Sequence, residues 1–101
     1  MRVIVMFDLP VVTRADRKSY RCFRRFLVSS GFVMMQESIY TKLALNNSVA
    51  IGIQNNIRKN KPKKGLVQMM TITERQFSDI EFVVGNIDSD VITSTERYIE
   101  L

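Results

Sequence analysis

Asp8 closes the run MRVIVMFDLP, in which Arg2 is the only other charge. A carboxylate in that place can do two things. It can hold Mg²⁺, which takes one or two carboxylates and fills its shell with water and phosphate oxygens. It can equally accept N–H bonds from the turn that Leu9, Pro10 and Val11 must make. One acid is a thin donor set for a nuclease, because paired-metal sites gather several. A two-fold pairing of chains would bring a second Asp8 and double the set. Asp8 is thus the candidate catalytic residue and the candidate metal ligand, with Mg²⁺ the candidate cofactor.

The other reactive side chains narrow the chemistry. The chain has no histidine and one cysteine, Cys22. That excludes a histidine base, a zinc site of the Cys/His kind and an intrachain disulfide. Cys22 lies in a helical pattern between Arg21 and Phe23, where a packed core thiol is expected.

Basic side chains supply the stronger signal. Lys and Arg number 15 against 10 acids, a net charge of +5 over 101 residues. A small domain with that balance points to an anionic partner, nucleic acid first. Arg14, Arg17, Lys18, Arg21, Arg24 and Arg25 fall within one stretch, interrupted only by Asp16. Arg14, Lys18, Arg21 and Arg25 are spaced by 4, 3 and 4, so a helix puts them on one face. Like charges at that spacing destabilise an isolated helix by roughly 0.2–0.5 kcal/mol per pair, which a sequence tolerates where it uses them. Arginine suits phosphate because its planar fork donates two bonds at once. A second cluster is Arg58, Lys59, Lys61, Lys63 and Lys64. Cations here also offset a helix dipole. Neither cluster has interleaved aromatics, so backbone contact without base readout is expected.

These side chains need elements to carry them. Val3 to Phe7 is a short apolar run that reads as a central strand covered on both faces, ended by Pro10. Thr13 to Ser30 reads as a helix. Thr13 and Asp16 form its capping box, Tyr20, Phe23, Phe26, Leu27 and Ser30 its inner stripe, and Gly31 its C′ residue. Phe32 to Leu45 is one long bent strand or two short ones. Asn46 to Ser48 offers cap chemistry to a helix with Val49, Ile53 and Ile57 on its inner face. NKPKKG at 60–65 is a loop. Leu66 to Thr73 is a strand, a capped turn follows around Phe77, and Ile80 to Val84 reads as a last core strand.

With the middle strand split, the order is β-α-β-β-α-β. That is the α+β, ferredoxin-like arrangement with an antiparallel sheet. The expected division is a domain over residues 1–85 and a tail over 86–101. The tail holds only short apolar pairs, Val91-Ile92 and Tyr98-Ile99. It would make sense as a strand added across a homodimer. An RNA-recognition motif has the same element order, but its stacking aromatics are missing from the central strands. No apolar run approaches the ~20 residues of a membrane span. Asp8 and Pro10 interrupt the start before a signal peptide's apolar region is complete. The expectation is a cytoplasmic protein with no membrane partner.

The stretches MFDLP, RKSYRCFRRFLVSSGFVMMQESIY, MMTITERQF and VVG together resemble the small universal CRISPR-associated protein of spacer acquisition (Cas Two). They are most similar to members from systems with a single-protein effector. The match runs over residues 2–85. The resemblance implies a homodimer that holds double-stranded spacer-precursor DNA between dimers of an integrase partner, with the effector nuclease as a further partner. It implies that the tail pairs in the dimer or docks on the integrase. It also implies that Asp8 is a Mg²⁺ ligand of an endonuclease active on RNA or DNA in some members. Arg14, Arg17 and Lys18 match the family's DNA-contacting positions by charge pattern.

Overall fold

In a computed structural model of the chain, residues 1–85 are described. Strand β1 (Arg2–Asp8) leads to helix α1 (Arg14–Ser29), then β2 (Val33–Gln36), β3 (Ile39–Leu43), α2 (Asn47–Lys59), β4 (Leu66–Ile72) and a short α3 (Glu74–Ser78). The sheet order is β2-β3-β1-β4 and every pairing is antiparallel. The expected βαββαβ order is therefore complete at β4.

Local chemistry sets the element ends. Thr13 Oγ1 accepts from the Asp16 N–H at 3.0 Å and the Thr13 N–H donates to Asp16 Oδ2 at 3.2 Å, the reciprocal box read in the sequence. The helix stops at Gly31, whose φ of +95° suits a residue without Cβ. There the Gly31 N–H donates to Val28 O and the Phe32 N–H to Leu27 O. Phe32 to Leu45 resolves into two strands around a turn at Glu37-Ser38, with Ser38 at φ +70°. The β2–β3 register shifts between Met34 and Gln36, a bulge beside that turn.

β1 lies in the middle of the sheet. Its Val3, Val5 and Phe7 pack under the two long helices with Phe23, Leu27, Ala50 and Ile57. Phe7 meets the rings of Phe23, Tyr40 and Tyr20 at 5.3, 5.7 and 5.9 Å between centroids. On the opposite sheet face, α3 reaches Arg2: Arg2 Nε donates to Glu74 Oε2 at 2.9 Å and its guanidinium lies 4.3 Å from the centre of the Phe77 ring. In register there lie Ile4 with Thr41 and Met70, and Arg2 with Leu43 and Ile72. Leu43, Leu66 and Met70 are about half exposed. Thr41 is buried, and its hydroxyl has no partner.

β1 is buried on both faces along Val3, Ile4 and Val5, as expected of a central strand. Three expectations are corrected. First, Ile80 to Val84 is not a strand. An apolar run needs a ladder as well as a pattern, and this one pairs with neither sheet edge; Phe82, Val83 and Val84 are exposed. Second, α2 turns Ala50, Ile53 and Ile57 inward, while Val49 in its first turn is exposed. Third, Cys22 is exposed, lying beside the basic stripe and outside the core stripe. The tail expectation over 86–101 lies outside the described residues. No described helix is long and apolar enough to cross a membrane.

Candidate nucleic-acid interface

Helix α1 turns its two stripes to opposite sides. Phe23 and Leu27 are buried, while Arg14, Lys18, Arg21 and Arg25 are exposed. Among the described residues these four make no ion pair. Arg17 and Arg24 are exposed too, but the fold uses them. Arg17 Nη1 donates to the carbonyls of Val11 (3.3 Å) and Val12 (3.0 Å), bracing the β1–α1 loop. Arg24 Nε donates to the Tyr40 hydroxyl at 2.9 Å, a contact that raises the guanidinium further above its ordinary range.

The second cluster caps α2 and fills the loop after it. Arg58 Nη1 donates to Asn55 Oδ1 at 2.7 Å, and Lys59, Lys61, Lys63 and Lys64 are exposed. The structure brings the two clusters to one place. Lys64 Nζ lies 3.4 Å from Asp16 Oδ1, so the acid that caps α1 also tethers the lysine loop. The Thr13 N–H above all, with Lys64 adding, holds the Asp16 carboxyl below its ordinary value. Between helix and loop runs a cleft of about 630 Å³ with Lys18, Lys61 and Lys63 on its rim and Leu9, Phe26 and Pro62 among its walls. Sequence separation hid this join, since no spacing rule links position 16 to position 64.

Gly65 fixes the far end of the loop. Its φ is +93°, and a Cβ there would fall 2.7 Å from Leu9 Cδ2 and 2.8 Å from the Asp8 carbonyl oxygen. Backbone cannot swing away as a side chain can. Gly65→Ala is therefore expected to lower stability by roughly 1–3 kcal/mol, the scale of a strained backbone residue. Urea unfolding checks it. At Gly31 the nearest atom is the tip of the flexible Lys42 side chain, so Gly31→Ala is expected to cost less.

Asp8 sits at the end of β1, exposed and opposite Leu66. Strand alternation puts it on the face away from Phe7, the one that carries Arg2 and Ile4. The side-chain acceptors of backbone N–H groups among the described residues are Thr13, Asp16, Asn46, Thr73 and Gln76, not Asp8. The turn-capping alternative thus finds no support. No three of His, Cys, Asp and Glu come together among the described residues.

Comparison with known proteins places this geometry. The family model described as CRISPR associated protein Cas2 matches residues 1–80. A protein of Treponema denticola named CRISPR-associated endoribonuclease Cas2 is 45% identical over 101 residues, covering all of both chains. One of the same name from Streptococcus mutans is 44% identical over 101 residues, all of this chain and 93% of that protein. The crystal structure of Streptococcus pyogenes Cas2 at pH 6.5 superposes with a TM-score of 0.60. It covers 84% of this chain and 100% of that one at 18% identity, a likeness of fold.

Proposed function

The chain belongs to the CRISPR-associated protein Cas2 family, and from that premise we propose that it is a homodimeric, double-stranded-DNA-binding scaffold of spacer acquisition that works with an integrase partner. One observation carries the DNA part of this reading. Arg14, Lys18, Arg21 and Arg25 form an unbroken exposed stripe on α1, and the cleft continues it into the lysine loop. Such a surface meets phosphate and has no aromatics with which to stack on bases. The half-exposed part of the sheet face opposite Phe7 supports the homodimer. A half-exposed row of Leu43, Leu66 and Met70 around a buried, unpaired Thr41 hydroxyl suits cover by a second copy.

The test of DNA binding is a salt titration of duplex affinity. The expected result is a log–log slope near −4 or steeper, about −0.9 for each phosphate contact, with little dependence on sequence. A slope near zero excludes the reading.

A second reading, a Mg²⁺-dependent endonuclease cutting RNA or DNA, is favoured by the relatives' names and by the exposed Asp8 at the strand end. On this reading two copies of Asp8 share the ion across a two-fold axis. If it holds, purified Asp8→Asn loses at least ~100-fold in cleavage of single-stranded RNA, the order expected when a metal ligand is removed. Cleavage at the wild-type rate assigns the activity elsewhere. Spacer insertion that persists in Asp8→Asn favours the scaffold.

A further inference from the structure

A buried tyrosine hydroxyl needs a hydrogen-bond partner, and Tyr40, only 2% exposed, takes an exposed arginine for it. Arg24 Nε of α1 donates to the hydroxyl at 2.9 Å. The phenol is a fixed point. Tyr40 lies in β3 between Val5 of β1 and Met34 of β2, and its ring stacks on Phe7 at 5.7 Å and 22°. Nε is the one guanidinium nitrogen that the described fold uses. Among the described residues, both Nη atoms of Arg24 have no hydrogen-bond or ion-pair partner. The other braced cations differ. Arg17 commits Nη1 to the Val11 and Val12 carbonyls, Arg58 commits Nη1 to Asn55, and Lys64 holds its amine against Asp16. Arg24 thus combines a locked position with two free Nη groups, and helical spacing sets it at the border of the basic stripe, one turn after Arg21.

Resting on the DNA-binding reading, we propose that Tyr40 is a positioning residue for phosphate: through Nε it fixes Arg24 so that the two Nη groups form a ready end-on fork for one backbone phosphate of the duplex. With Nε occupied, the side-on grip through Nε and Nη is closed, and the end-on pair of N–H···O bonds is the bidentate mode that remains. The benefit is conformational. A long cationic side chain loses rotamer freedom when it grips a phosphate. Arg24 loses that freedom on folding, so less is left to lose on binding. Arg14, Lys18, Arg21 and Arg25 have no ion pair to hold them among the described residues. They supply charge, and Arg24 supplies charge at a set place.

The measurement is the affinity of the full-length chain for a mixed-sequence DNA duplex by fluorescence anisotropy, repeated over a range of salt. Tyr40→Phe removes the hydroxyl and keeps the ring and every charge. It is expected to bind about five-fold more weakly, the scale of one side chain's ordering, with the salt slope unchanged. Arg24→Lys keeps the charge, leaves the core untouched and loses the fork, and the same result is expected of it. Arg24→Gln is expected to lower the slope by about 0.9, one phosphate contact. Adding Tyr40→Phe to Arg24→Gln is expected to weaken binding no further, because the tyrosine acts only through the arginine. That last result separates positioning from a general loss of structure, which would weaken both backgrounds equally. Wild-type affinity in Tyr40→Phe or in Arg24→Lys overturns the proposal. So does an unchanged slope in Arg24→Gln, or an equal loss from Tyr40→Phe in both backgrounds. Each of these leaves the DNA-binding reading standing. A slope near zero in the wild-type chain removes that reading first and the proposal with it.

Discussion

Replacing Arg14, Lys18, Arg21 and Arg25 together by glutamate is expected to abolish duplex binding while the fold survives. The four side chains share one exposed stripe and pair with nothing among the described residues. Reversing them changes the charge of one face by eight units per chain. Each lost phosphate contact removes about 0.9 from the log–log salt slope, and reversal adds repulsion to that loss. The expected outcome is at least ~100-fold weaker affinity in low salt, with the slope reduced by about 4. The helix should tolerate the change because Glu and Arg have nearly equal helix propensity. Retained far-UV circular dichroism with lost DNA binding is the supporting result, and unchanged affinity would falsify the scaffold reading. Arg17 and Arg24 are left out by design. They hold the β1–α1 loop and Tyr40, so their substitution would confuse a structural loss with a binding loss.

Phe7→Ala is expected to be the most damaging single core change. Phe7 is 6% exposed and touches three other aromatic rings, which no other buried side chain among the described residues does. Truncating a packed Phe costs about 3–5 kcal/mol through lost burial and the cavity left behind. The lost edge-to-face and stacked pairs push the value to the upper end. A domain of this length has a total stability of roughly 5–15 kcal/mol. The variant should therefore unfold at a much lower urea concentration with an unchanged slope. A shift below about 1 kcal/mol would show that Tyr20, Phe23 and Tyr40 close the gap by repacking.

The element order was legible because its signals are local. The capping box of Thr13 and Asp16, the C′ glycine at 31 and the apolar run of β1 each depend on neighbours within four residues. Both basic clusters were legible as composition and spacing. Three things were not. The helical stripe puts Phe23 inward, but a residue at its margin, such as Cys22, goes to core or solvent according to what the partner element covers. Ile80 to Val84 has a strand's composition, and composition says nothing about whether an edge is there to receive it. The joining of the clusters rests on the Asp16–Lys64 contact, which no local rule reports. Asp8 was legible as a candidate, and the fold adds its orientation toward the sheet face opposite Phe7.

The β2 bulge has a consequence for how the protein behaves at high concentration. A sheet's open edges invite indiscriminate strand pairing between molecules, the first step toward fibrils and inclusion bodies. β2 is an edge strand of four residues with apolar, exposed Val33, Met34 and Met35, a composition that would otherwise be hazardous. The register shift between Met34 and Gln36 kinks its hydrogen-bonding row, so a neighbour finds too few consecutive groups to zip onto. Ironing out that kink by deleting one residue would trade a soluble preparation for a sticky one.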